Sequence, residues 1–494
     1  MSPKRKIHGR GGLLARLALR VLLVAFGGIG LFFPATVVRA ETLTFWVSET
    51  DPEFVAGTEY LLNAFMALNP DLTVTLVSLE ETAVFDRLRA AWRAGEEPQL
   101  VLAPTESLLA LGREGILDSS MAEQVIDEIG RARFYLGPLA LLDDASGFGH
   151  VAIPYYAWLQ GVWYRSDWFD EAGLIPPENL FDLLAAARAL RDPKRGRYGI
   201  LLGTAGDSYT TQVFSQIALA MGVALIDPKK GVTINTPEMV RALTFYRDLT
   251  ETGPRGRLTP QGRDYYLQNR LAMLFYSTHI MDDLALSSAA AGALTDKNFP
   301  ELTGGVFDPE LLPHTGMIAS FYDSSVAAFG VTMALGIPYP ATRAKAAAIT
   351  RLVRFLFRDD VLINWMHRAP GGMMPVIKGV TDREAFMRDP KGVFARWGRD
   401  TVDQIMGALD NMRSLAQVGG VPNEEAARLL TSGLIGEMVR QVVMRERTPK
   451  GAAAWGQRAA LRQGNSQPFM KNEPGKGNGT KGGRPLTEGK EGAM

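Results

Sequence analysis

The sequence contains no cysteine. That excludes disulfides, thiolate metal sites and a cysteine nucleophile, and with them the lipidated cysteine that tethers many exported bacterial proteins. Histidine is scarce as well. His8, His150, His279, His314 and His367 form no HExxH or other ligand spacing, so no metal site and no cofactor are expected. GxSxG is missing, and the glycine-rich stretch at 475–479 lacks both the spacing and the preceding strand of a phosphate loop. An excess of charge of one sign is missing too: 53 Lys and Arg balance 53 Asp and Glu, so no global field draws nucleic acid. Adjacent acids occur at Glu80-Glu81, Asp143-Asp144, Asp282-Asp283 and Asp359-Asp360. A glycosidase needs two carboxylates about 5–10 Å apart across a cleft. Neighbours on a strand point to opposite faces, so these pairs read as solvated loop or helix-end charges. Nothing in the sequence signals catalysis, and no enzyme is expected.

The composition that remains is globular, 46% hydrophobic and 21% charged, and 494 residues exceed one ordinary core, which predicts two domains. The ends differ from the middle. Lys4, Arg5, Lys6, Arg10, Arg16 and Arg20 precede an uncharged stretch at 21–38, and Val38-Arg39-Ala40 offers a cleavage site. Residues 1–40 therefore read as a cleavable export signal and the protein as periplasmic. The alternative is a retained anchor, since about 18 apolar residues is near the spanning minimum. Gly27, Gly28, Gly30 and Pro34 weaken that span. Residues 447–494 are rich in Gly, Lys and Pro and are expected to be a disordered tail.

Between these ends the pattern alternates. Strands are expected at 43–47, 72–79 and 99–103, and helices at 59–68, at 84–94 and from 104 onward. Strand and helix at this spacing argue for a parallel, right-handed α/β sheet, in which ligands collect at the carboxyl ends of strands. Ser48, Glu49 and Glu106 stand at two such ends. Further on, helices are expected at 180–190, 211–221, from 236, at 343–357 and 361–367, near 400–416 and at 423–444, with strands at 198–202, 271–276 and 328–335. The stretch 285–322 is irregular.

The aromatics gather in one place, VAIPYYAWLQGVWYRSDWFDEAGL at 151–174. A short apolar strand there is expected to stop at Pro154. Tyr155, Tyr156, Trp158, Trp163, Tyr164 and Trp168 then follow, with Gly161 among them, where the chain is expected to change direction.

Six segments in order resemble one family. They are the LTFW strand with its helix ending in NP, GEEPQLVLAPTESLLALGREGIL, the aromatic stretch itself, INTPEMVRALTFYRDL, NRLAMLFYSTHIMDDL, and the block from ALGIPYPATR to GGMMPV. The chain is similar to the maltose-binding-protein-like extracellular solute-binding proteins (family 1) of ABC sugar importers, over nearly all of 43–444. Departures occur at Gln99, usually Asp in the family, at Arg165-Ser166, at 178–181, and at His279, near the position of a stacking tryptophan.

The resemblance implies a two-lobed periplasmic-binding-protein (type II) fold, each lobe a parallel-type sheet flanked by helices, with solute in the interlobe cleft. Carried onto this chain, lobe I is 41–157 plus 305–357 and lobe II is 158–304 plus 358–446. Tyr155 and Trp158 would sit at the crossover, Tyr209 and Gln212 on the second lobe, and His279 and Trp365 opposite, joining Ser48, Glu49 and Glu106 around a sugar. Sugar rings pack on aromatic faces and their hydroxyls need every hydrogen bond replaced. The function implied is hinge-closing capture of a di- or oligosaccharide by a monomer and delivery to inner-membrane permease subunits. The same fold binding glycerol phosphate or a polyamine is the alternative, a secreted glycosidase a weaker one.

Overall fold

The computed structural model of the chain describes residues 41–144, 149–286, 299–302, 304–340 and 342–463. The expected export signal and most of the expected tail lie outside the described residues. Within them, no helix is long and apolar enough to cross a membrane.

β1 (Glu41–Val47), β2 (Leu72–Ser78) and β3 (Leu100–Pro104) pair in parallel, in the order β2-β1-β3. Leu43, Phe45 and Val47 of β1 point inward at period two. All five residues of β3 are buried, as befits a strand covered on both faces. Helix Pro52–Leu68 starts where the Asp51 carboxylate accepts from the Phe54 amide at 2.9 Å, with proline in its first turn, and stops at Asn69.

β4 (Ile153–Arg165) is the hub. Its first half pairs with β11 (Val326–Gly336) and its second half with β8 (Leu271–Ser277). Beyond β8 lies β5 (Tyr198–Leu201), parallel to it; β6 (Ile226–Asp227) and β7 (Gly231–Val232) form a separate hairpin. β9 (Thr315–Ile318) joins the second half of β4 and β10 (Ser320–Tyr322) joins β11. β12 (Met374–Pro375) lies on the first half of β4, and β13 (Gln417–Val418) and β14 (Val421–Pro422) make a second hairpin. β11 also runs antiparallel to β3, so the sheet continues as β2-β1-β3-β11-β4-β8-β5.

Two expectations about the aromatic stretch change. The strand does not stop at Pro154 but runs through it. Met333 pairs with Tyr156 while Ala334 pairs with Pro154, a bulge that leaves Tyr155 as the extra residue where a ladder N–H is missing. Nor does Gly161 turn the chain. A Cβ there would lie 2.4 Å from the Ile318 carbonyl oxygen of β9, so glycine serves close backbone approach. Gly161→Ala should therefore destabilise the protein by about 1–3 kcal/mol, the range for forced overpacking, checked by chemical denaturation at constant m-value.

The expected division into lobes also shifts. β9, assigned to the first half, pairs with the second half of β4. Helix Asp359–Met366, assigned to the second, packs on the first: the Trp365 ring is 5.4 Å from that of Phe54 and 5.1 Å from that of Tyr155. Expected disorder does not hold for Pro449–Gln463, which form a helix. Ala452, Ala453, Ala459 and Ala460 are buried, and Gln457 accepts from the Ile234 amide at 2.6 Å and donates to the Val232 carbonyl at 2.8 Å. A stripe of alanines at helical spacing stabilises by close packing, which composition alone disguises as low complexity.

Candidate functional site

The carboxyl end of β3 turns at Pro104 into helix Thr105–Arg113, whose first turn carries Glu106. Helix Glu81–Ala94, after β2, starts with Glu81. From the other half, Asp207 caps helix Ser208–Ala220, its carboxylate accepting from the Thr210 amide at 2.9 Å. These segments enclose a cavity of about 600 Å³, within the roughly 300–1,000 Å³ of small-molecule sites. Glu81, Glu106, Asp207, Thr211 and Gln212 line it, Phe329 and Thr332 of β11 contribute further walls, and Ser432 and Gly433 close one side. Thr332 is fully buried and its Oγ1 has no hydrogen-bond partner.

Gln212 also lines a smaller cavity of about 170 Å³ with Trp158, Tyr209, Tyr276 and His279. The Trp158 ring lies 6.1 Å from that of His279 and 6.3 Å from that of Phe329, so aromatic edges stand between the two spaces. The wall is stiff. Gln160 donates to the Gln212 carbonyl at 3.3 Å and to the Gln216 side-chain oxygen at 3.2 Å, and Gln216 donates to the Ala319 carbonyl at 3.1 Å.

Of the residues expected from sequence, Glu106, Trp158, Tyr209, Gln212 and His279 meet around these two cavities. Tyr209 offers its ring only, because its hydroxyl donates to the Phe275 carbonyl at 2.5 Å. Ser48 and Glu49 line neither cavity. Ser48 is buried with an unpartnered hydroxyl, and the Glu49 carboxylate accepts from the amides of Thr50 (2.8 Å) and Asp51 (3.0 Å). Tyr155 and Trp365 are corrected outright. Both are fully buried in the first half, and the Arg368 guanidinium stacks 4.5 Å over Trp365. Their place beside Phe54 and Phe357 is that of core.

Glu80 and Glu81 are exposed at a helix start, as a solvated pair should be, yet Glu81 also borders the cavity, a role the pair alone does not reveal. Glu81 is open on one side, and desolvation by the protein around it, then the charges of Glu106 and Glu49, raise its carboxyl above its ordinary value. Glu106 is open to the cavity lumen yet ringed by protein, and desolvation raises it as well. Asp282-Asp283, by contrast, is not a solvated pair: Asp283 meets Arg263 at 2.9 Å, and burial pushes Asp282 up to about 7.

His279 has the same two-sided setting, open at the cavity and enclosed around it, and burial followed by the Arg263 charge lowers its imidazole to about 4. The unfolded chain then binds the proton more readily than the folded one. Stability tied to His279 is present above its ordinary pKa of 6.5 and is lost as pH falls toward 4. His279→Gln should flatten the acid limb of the melting-temperature profile between pH 4 and 7, read by differential scanning fluorimetry.

A larger cavity, about 840 Å³, lies elsewhere, among Leu180, Phe181, Val240 and Phe245 on outer helices. It is away from the strand ends and is mostly apolar, and its Thr236 hydroxyl is already used to cap helix Pro237–Thr250. The 600 Å³ cavity, at the strand ends and with more polar groups in its lining, is the better candidate for recognising a solute.

Residues 51–361 match the profile of the bacterial extracellular solute-binding proteins. The chain is similar to YcjN of Escherichia coli, named for an ABC transporter periplasmic-binding role, at 28% identity over 404 residues covering 82% of this chain and 88% of that protein. It is also 28% identical over 331 residues to a mannitol-binding protein of Pseudomonas aeruginosa, covering 64% and 69% of the two chains. A solved ABC transporter solute-binding protein of Agrobacterium radiobacter, in complex with ribitol, superposes with a TM-score of 0.62 at 19% identity, covering 86% of this chain and 99% of that one. This likeness extends the two-lobed fold over the described sheet and helices. On the match across 51–361, the chain belongs to the bacterial extracellular solute-binding proteins.

Proposed function

We propose that the protein is the periplasmic receptor of an ABC importer and captures a sugar or polyol in the cavity between its lobes. The observation that carries this reading is the lining itself. Carboxylates, an amide and hydroxyls converge from both sides, with the Trp158, Tyr276 and Tyr209 rings beside them. Hydroxyl-rich solutes demand many hydrogen-bond acceptors and donors together with an apolar ring surface. Relatives named for mannitol and seen with ribitol support the class. Two neighbouring cavities that share Gln212 favour a di- or oligosaccharide over a single ring.

Capture closes the hinge. β4 and β11 run from one half of the sheet into the other, and ligand contacts made with both lobes favour the closed state. The lobes are 41–157 plus 305–357 and 158–304 plus 358–446, adjusted for β9 and for helix Asp359–Met366, which swap sides. The closed monomer then docks on the permease subunits. Residues 1–40 would direct export and be removed. The role of the carboxylates is to accept hydrogen bonds from the bound solute.

The test is a thermal-shift panel of sugars and polyols followed by small-angle scattering. A hit that raises the melting temperature and shrinks the radius of gyration supports the reading. A panel without a single sugar or polyol hit, beside a clear response to an amino acid or phosphate ester, removes it.

A further inference from the structure

The 600 Å³ cavity is unusual in its charges. Glu81, Glu106 and Asp207 line it, and among the described residues no lysine, arginine or histidine does. No ion pair involves Glu49, Glu81, Glu106 or Asp207 among the described residues, although Arg and Asp or Glu pair widely elsewhere on the protein. Asp207 is used in capping its own helix. Glu106 accepts from its own backbone amide only, Glu81 caps no helix amide, and the charge of Glu106 disfavours ionised Glu81.

Helix starts at Glu81, Thr105, Ser208 and Leu434 also face or adjoin this space. Each N-terminus supplies on the order of half a positive charge. Four such ends amount to about two charges against three carboxylates, so the lumen stays negative. A second feature of the same space is independent of charge: the Thr211 hydroxyl and the Gln212 side chain also line it, and Gln212 lines the smaller aromatic cavity as well.

A neutral hydroxyl satisfies a carboxylate's lone pairs but leaves the repulsion between Glu81 and Glu106 in place. A protonated amine removes it and forms charge-assisted hydrogen bonds, roughly twice as strong as neutral ones. We infer that the solute is a polyhydroxylated compound carrying a protonated amine, an amino sugar or its oligomer, with its ammonium between Glu81 and Glu106 and neighbouring hydroxyls toward Thr211 and Gln212. This rests on the sugar-or-polyol reading of the same cavity and narrows it. Anionic sugars, sugar phosphates among them, are excluded by the same field.

The test compares matched pairs by titration calorimetry on the full protein: glucosamine with glucose, and the β-1,4-linked glucosamine dimer with cellobiose. The amine partner should bind at least tenfold more tightly in at least one pair. In Glu106→Gln and, separately, Glu81→Gln, the ratio within that pair should fall toward one, with circular dichroism and melting curves showing each variant folded. Equal or tighter binding of the neutral partner overturns the inference and leaves the sugar reading standing. Absence of binding by every member of both pairs overturns the inference, and a thermal-shift response to a non-carbohydrate then overturns the sugar reading too. A ratio unchanged in both folded variants overturns the placement of the ammonium.

Discussion

Replacing Trp365 with alanine should lower the unfolding free energy by about 3–5 kcal/mol, the range for a large aromatic in a packed core, and leave the affinity of the folded protein for its solute unchanged. The ring is fully buried. It packs edge-on to Phe54 and Tyr155, at 5.4 and 5.1 Å between centroids, and carries the Arg368 guanidinium at 4.5 Å. Arg368 donates from there to the Thr58 hydroxyl at 2.8 Å and to the Phe54 carbonyl at 3.3 Å. Losing the indole thus opens a cavity and removes the surface on which a buried cation rests, and burial already disfavours that cation, lowering Arg368 to about 10. Denaturant unfolding measures the first effect, and calorimetry below the melting transition measures the second. A folded Trp365→Ala protein of wild-type stability and weakened affinity would return Trp365 to the binding site.

Trp158→Ala should do the reverse. Trp158 stands half-buried on β4, opposite Val331, with His279 and Phe329 at its edges and the smaller cavity before it. An aromatic anchor in a partly enclosed binding pocket is worth about 2 kcal/mol or more when truncated, so the dissociation constant should rise about 30-fold. Stability should fall by less than in Trp365→Ala, because one face of the ring already meets the cavity. Comparable stability losses in both variants, with unchanged affinity in Trp158→Ala, would place the two indoles in one core.

These two tryptophans show what was legible in the sequence. The order of strands and helices around Trp46, Asn69-Pro70 and Thr236-Pro237 was legible because caps, prolines and period-two burial are local signals. The side of the sheet each aromatic faces was partly legible. On a strand, side chains alternate, so Tyr156, Trp158 and Gln160 share one face while Ala157 and Leu159 take the other. Tyr156 feels the charges of Glu49 and Glu81, and Trp158 and Gln160 line the smaller cavity, whereas Tyr155 faces Phe357 and Trp365. Reading Pro154 as a stop hid this alternation, because the bulge that admits a proline depends on β11, far away in sequence. The partnership of Glu81 with Glu106 was not legible. It depends on β2 and β3 flanking β1 in parallel, which brings the starts of two helices to one end of the sheet. Trp365 misled for a similar reason: its helix follows β11 in sequence and returns to the first half of the sheet.

Hydrogen exchange with and without the strongest-binding sugar or polyol tests the central claim most directly, since it asks where the solute sits. Bound solute should slow exchange simultaneously at 104–109 in the first half and at 207–216 and 430–434 in the second, the segments that line the 600 Å³ cavity. Protection confined to one half, or to the helices Leu180–Ala189 and Pro237–Thr250 around the larger apolar cavity, would contradict capture between the lobes.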